Sequence, residues 1–134
     1  MSNIEKIEQF LKDTSVFYLT TVDGDRPKCR PIGLHMLAGD KLYFGVGTFK
    51  DVYRQMQANP HVELCVCKDR EFLRYYGNAV FETDDKLACT AIASEPFLGQ
   101  IYNEKTGKRL GIFHLENATA EFRTMAGIQE SFSF

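Results

Sequence analysis

No stretch of the 134 residues approaches the roughly 18 consecutive apolar residues of a membrane span. The opening Met1-Ser2-Asn3-Ile4-Glu5-Lys6 lacks the basic-then-apolar order of a secretory signal, so a cytoplasmic location is expected. The net charge is −2, which gives no basic field to draw nucleic acid or an acidic membrane surface. No nucleophile elbow, Walker loop, dinucleotide fingerprint or HExxH motif occurs. There is no CxxC pair, no internal repeat, no linker and no low-complexity segment. The three histidines (His35, His61 and His114) are too scattered to suggest a metal site, so no metal is expected. A chain of this length makes one domain, residues 1–134, and buries enough surface to fold without disulfide or metal.

Four cysteines stand at 29, 65, 67 and 89, and in the cytosol they are expected reduced. Cys65 and Cys67 fall in Val62-Glu63-Leu64-Cys65-Val66-Cys67, which reads as a strand, where both would face one side. Small buried hydrophobes are the expected role there, with a redox or metal pair as the alternative. His35 is expected to be a satisfied or exposed histidine. A proton-transfer role near neutral pH is its alternative.

Periodicity supplies the elements. Ile4, Ile7, Phe10 and Leu11 recur at helical spacing, predicting a short amphipathic helix over 3–13 with Asn3 as its cap. Val16 to Val22, Pro27 to Leu37 and Lys41 to Val46 read as three strands of a meander. Turns at Asp23-Gly24-Asp25 and Gly39-Asp40 join them. Gly45-Val46-Gly47-Thr48 reads as a strand break, and Lys50 to Ala58 as a helix ended by Asn59-Pro60. Strands follow at 61–68 and 72–83, the second with Gly77 as a bulge or close-approach point. A helix capped by Thr83 or Asp84 runs to about Ala93, and Pro96 to Tyr102 is a helical turn or loop. Gly111 to Leu115 and Ala118 to Arg123 close the pattern, and the tail carries Phe132 and Phe134 at strand spacing. The class is mainly β (α+β): a six-stranded antiparallel barrel with short flanking helices.

Two segments carry chemistry. Arg30-Pro31-Ile32-Gly33 lies on a strand that Pro31 marks as an edge, with backbone groups free to meet the polar rim of a heterocycle. Gly47-Thr48-Phe49-Lys50 enters a helix, where free N–H groups, the Thr48 hydroxyl and the Lys50 charge suit a phosphate monoester. Arg30 can reach the same group with a bidentate fork. The alternative is a solvated turn before a capped helix.

The ordered set of segments carries a resemblance. It runs Phe17-Tyr18-Leu19-Thr20-Thr21-Val22, Asp23-Gly24, Arg26-Pro27, Arg30-Pro31-Ile32, Lys41-Leu42-Tyr43-Phe44, Thr48-Phe49-Lys50 and Asn59-Pro60-His61-Val62. Order and spacing resemble the pyridoxamine 5′-phosphate oxidase-like superfamily, and Phe113-His114-Leu115-Glu116-Asn117 through Phe122 resembles its closing strand. The resemblance implies a split β-barrel, a two-fold homodimer and FMN between the subunits. Carried over, Arg30, Lys50 and Thr48 would bind the phosphate, and backbone at Pro31 and Ile32 would meet the isoalloxazine ring. Val46 and Gly47 would line the pocket beside it, and the partner subunit's Arg74 would contribute. The chain is shorter than true pyridoxamine 5′-phosphate oxidases and lacks their basic C-terminal substrate segment. Its resemblance is therefore to the shorter relatives of nitroimidazole-resistance and general-stress type.

An FMN-dependent oxidoreductase acting on a small-molecule donor and acceptor is the expected function. The rivals are a non-catalytic flavin store or sensor, a haem binder with a histidine as axial ligand, and a dimerisation domain whose pocket has lapsed. Tyr75, Tyr76 and Phe49 are expected beside the ring or in the core or interface, and the tail phenylalanines over the partner's pocket.

Overall fold

The computed structural model describes residues 1–134. Eight strands and four helices form in the order α1 (Asn3–Lys12), β1 (Phe17–Asp23), β2 (Arg26–Ile32), β3 (His35–Ala38), β4 (Lys41–Gly47), α2 (Asp51–Ala58), β5 (His61–Lys68), β6 (Glu71–Phe81), α3 (Lys86–Ser94), α4 (Pro96–Ile101), β7 (Leu110–Thr124) and β8 (Gly127–Ser133). The mainly β class stands, but the strands number eight rather than six. The stretch 27–37 is divided at Gly33-Leu34 into β2 and β3. The two short C-terminal strands are one continuous β7, and the tail is β8 paired to it.

The path of paired strands is β2-β1-β5-β6-β7-β4-β3, every pairing antiparallel. The three-strand meander expected from the sequence does not form, because β2 and β3 lie at opposite ends of this path. Only Gly33 and Leu34 join those two ends. Three residue steps reach at most about 11 Å, so the sheet has to curl until its ends meet. The result is a barrel with a gap where β2 and β3 do not pair.

Alternation sorts the side chains. Phe17, Leu19 and Thr21 of β1 point inward, while Tyr18 is half exposed. Leu42, Phe44 and Val46 of β4 join the barrel core with Val62, Leu64, Leu73, Tyr75 and Phe113. Tyr43 on the other face of β4 joins a second, smaller cluster with Ala88 and Ala91 of α3, Leu98 of α4, Tyr102, Leu110 and Ile112. The paired helices α3 and α4 are thus packed outside the barrel, over β4 and β7.

Several local expectations shift. The cap of α1 is Ser2, not Asn3: Ser2 Oγ accepts from Glu5 N at 3.2 Å and Glu5 Oε1 accepts from Ser2 N at 3.4 Å, a capping box. Asp84 Oδ1 accepts from Lys86 N at 3.0 Å, although Asp85 is the cap residue of α3. Gly45 and Gly47 do not break β4 but extend it. A Cβ on Gly45 would stand 2.4 Å from Leu34 Cδ2, and one on Gly47 2.6 Å from Phe49 Cε1. Their lack of a side chain admits neighbours to the strand rather than ending it. Gly77 does mark a bulge, with the β6–β7 register slipping between Tyr76 and Asn78.

Candidate functional site in the split of the barrel

The gap has two open edges. Strand β2 pairs only with β1, so the far side of Arg30–Ile32 has no strand partner. Strand β3 is four residues long and pairs only with Lys41–Phe44, which leaves Gly45, Val46 and Gly47 bonded to β7 on one side and unpaired on the other. Between these edges lies a cavity of about 460 Å³. Its polar end holds Arg30 and Lys50. Pro31, Ile32, Leu34, Val46 and Leu110 line its strand side, and Phe97, Leu98, Ile101 and Tyr102 close it from α4. The volume falls within the range of small-molecule and cofactor sites. The one carboxylate on the lining is Glu95, exposed at the start of α4.

Arg30 points inward from β2 beside Leu19, its cross-strand partner. Its Nη1 donates to Thr21 Oγ1 at 2.7 Å, to Leu19 O at 3.2 Å and to Lys28 O at 3.3 Å, and its Nη2 donates to Gln55 Oε1 at 2.8 Å. Every one of these acceptors is neutral. Burial is the main influence on the guanidinium and lowers its pKa. Arg74 and Arg109 behave oppositely. Each is raised chiefly by its hydrogen bond to a carboxylate, Glu63 and Asp85 respectively. Arg30 is therefore a fixed, partly desolvated positive charge with no counter-ion from the chain.

Lys50 precedes α2 as its cap residue and makes no side-chain cap bond. Its ammonium lies 5.8 Å from the Phe49 ring centroid and is paired with no carboxylate. Both cations thus belong to the α2 side of the cavity, Arg30 through its bond to Gln55 and Lys50 as the residue that precedes the helix. Thr48 is next door rather than inside. Its hydroxyl donates to Arg109 O at 3.2 Å and it lines the neighbouring cavity with Tyr53 and Phe81.

Of the residues singled out from sequence, Arg30, Pro31, Ile32, Val46, Gly47 and Lys50 come together here. Arg74 does not. It lies on β6, its Nε and Nη2 donating to both Glu63 carboxylate oxygens at 2.8 and 2.9 Å. No histidine reaches the cavity: His35 Nδ1 sits 2.7 Å from Glu8 Oε1, and His114 Nε2 2.9 Å from Glu116 Oε2. Cys65 and Cys67 are not core residues. Val62, Leu64 and Val66 hold the inward positions of β5, which turns both thiols outward. Burial nevertheless raises the Cys65 thiol pKa. No group of three or more His, Cys, Asp or Glu is arranged to hold a metal ion.

The tail phenylalanines fold onto their own chain. Phe132 packs edge-on to Phe122 at 6.0 Å, and Phe134 to Tyr75 at 5.9 Å. Thr21 and Gln55, which hold Arg30, are residues of the candidate site that sequence reading missed. The signal for Gln55 was available, since it is a polar residue three positions after Val52 on the apolar face of α2. Phe97, Ile101 and Tyr102 gave no such signal, because their place depends on α4 folding back over β4.

This geometry can be set beside known proteins. The family described as Pyridoxamine 5′-phosphate oxidase matches residues 4–123. The chain belongs to that family. A comparison with curated proteins gives no match. Among solved structures, a NimC/NimA family protein from Clostridium acetobutylicum superposes with a TM-score of 0.85 at 27% identity, over 97% of this chain and 91% of that one. A pyridoxamine 5′-phosphate oxidase-related, FMN binding protein from Nostoc punctiforme gives 0.60 at 17% identity, over 100% and 98%. A heme binding protein from Mycobacterium smegmatis gives 0.68 at 14% identity, over 100% of this chain and 58% of that one. The pyridoxamine 5′-phosphate oxidase fold thus carries flavin in one neighbour and haem in another. No helix of this family member is long and apolar enough to cross a membrane.

Proposed function

We propose that the protein is an FMN-binding oxidoreductase of the cytoplasm, working as a homodimer with flavin at the subunit interface. The observation that carries the reading is Arg30: a partly buried guanidinium held only by neutral acceptors, sharing a cavity with unpaired Lys50. A buried cation left uncompensated by its own chain favours an anionic ligand. The mostly apolar remainder of the cavity suits a ring system, so a phosphorylated heterocycle matches both the cations and the apolar lining.

In this reading Arg30 and Lys50 bind the phosphate, and Thr48 joins them only by turning its hydroxyl away from Arg109 O. The free backbone of Pro31 and Ile32 orients the ring, and Val46 and Gly47 form the wall beside it. Phe97 and Ile101 exclude water from the apolar side. The partner subunit's Arg74 completes the interface. When bound, FMN supplies the hydride or electron transfer. Haem is less well served. The lining holds no His, Cys or Met to serve as an axial ligand.

The test is an absorbance spectrum of the purified protein, repeated after loading with FMN and desalting, with FMN and riboflavin affinities measured alongside. Retained flavin absorbance and tighter binding of FMN than of riboflavin are expected. Equal affinities would remove the phosphate assignment. Failure of NADH and NADPH to reduce the loaded flavin would make the protein a binder rather than an oxidoreductase.

A further inference from the structure

Tyr102 follows α4 directly, and its backbone N–H donates to Leu98 O at 2.8 Å. The residue is only 8% exposed and packs with Leu98 and Leu110. Its hydroxyl nonetheless has no partner in the chain, and burial is the sole cause that raises its pKa. Tyr76 differs, since its hydroxyl donates to Glu121 Oε2 at 2.5 Å. The Tyr102 oxygen stands over Gly47, 2.9 Å from where a Cβ would lie, on the wall of the cavity that Arg30 and Lys50 share.

The ring is buried but the hydroxyl oxygen is not sealed off with it, so the O–H stands open to the cavity and free to pair with what enters. No partner is supplied by the chain, and the cavity is the space it faces. We propose that Tyr102 is a ligand-binding residue whose O–H donates a hydrogen bond to a carbonyl oxygen of a planar ring compound held in the split. A phenol is a protonated donor at neutral pH. The apolar side chains of Leu34, Phe97 and Ile101 on the same cavity suit a flat ring, and the nearby cations favour an electron-rich oxygen. The inference rests on the flavin reading for one of two sources of that oxygen. It belongs either to the flavin's own ring or to a quinone-type acceptor beside it.

Tyr102→Phe removes only the hydroxyl. Because that hydroxyl has no partner in the chain, the melting temperature of the ligand-free variant should not fall. A fall would mean a structural role and overturn the assignment. Affinities for FMN, riboflavin and the quinone menadione are then compared between the variant and the natural protein. Equal weakening of FMN and riboflavin, by roughly 3- to 10-fold, places the oxygen on the flavin. Weakening of menadione alone places it on the acceptor. Weakening of FMN without riboflavin would mean that the hydroxyl reads phosphate, and no change with any probe would mean that it reads nothing. Either result overturns the proposal. Should the natural protein bind no flavin, the flavin reading fails by itself and menadione affinity decides the role of Tyr102, with absence of menadione binding counting against it.

Discussion

Gln55 Oε1 lies 2.8 Å from Arg30 Nη2 and 2.7 Å from Thr21 Oγ1, so one amide oxygen on α2 holds a strand cation and a strand hydroxyl together. Gln55 and Thr21 are both buried. The amide fixes the guanidinium without neutralising it, as a carboxylate would. Gln55→Met keeps the volume but strands two donors. It should destabilise the protein by about 1–3 kcal/mol in urea unfolding, and should loosen FMN more than riboflavin.

The two cations should act on the phosphate alone. Lys50→Ala and Arg30→Ala are each expected to weaken FMN roughly 10- to 100-fold, the range for hydrogen bonds to charged groups, while riboflavin binding scarcely changes. Titration calorimetry with both ligands measures this. A parallel loss for riboflavin would place the side chains elsewhere on the ligand.

Gly77 is a packing requirement of the β6–β7 bulge. A Cβ there would stand 2.8 Å from Glu116 O and 2.9 Å from Ala118 Cα, both backbone atoms that cannot turn aside. Gly77→Ala should therefore cost about 1–3 kcal/mol of stability by thermal or denaturant unfolding. Gly77 is not on the lining of the cavity in the split, and FMN affinity should be retained in the folded fraction.

Alkaline pH should unfold the protein through its core. Burial pushes the Tyr75 phenol up to about 12 from its ordinary value of 10.0. Between those values the folded protein keeps a proton that the unfolded chain releases. The stabilisation is thus present in full below pH 10 and is lost as pH rises through 12, by about 3 kcal/mol in all. Tyr102, also raised by burial, adds in the same direction. Unfolding free energies measured from pH 9 to 12 should fall, and Tyr75→Phe should flatten much of that slope.

Local chemistry was legible in the chain. Alternation along β5 and β6, glycine at the tight turns, proline on an edge strand and the helix entrance at Lys50 are all set by residues close in sequence. The pairing of β2 and β3 with opposite ends of the sheet was not legible. The segment 27–37 alternates without a conspicuous stop, and only curling of the whole sheet separates its halves at Gly33-Leu34. The outward turn of Cys65 and Cys67 was legible by contrast, since they alternate in step with His61 and Glu63 and opposite Val62, Leu64 and Val66.

The sequence by itself determined the mainly β class, most of the elements and the two basic residues at the polar end of the site, because short-range sterics and side-chain chemistry dictate them. Tertiary structure alone decided that the split lies between Arg30–Ile32 and Gly45–Gly47, that Gln55 and Thr21 hold Arg30 uncompensated, and that α4 brings Tyr102 over Gly47. Those relations join residues tens of positions apart. They follow from barrel closure and helix packing, which no local pattern encodes.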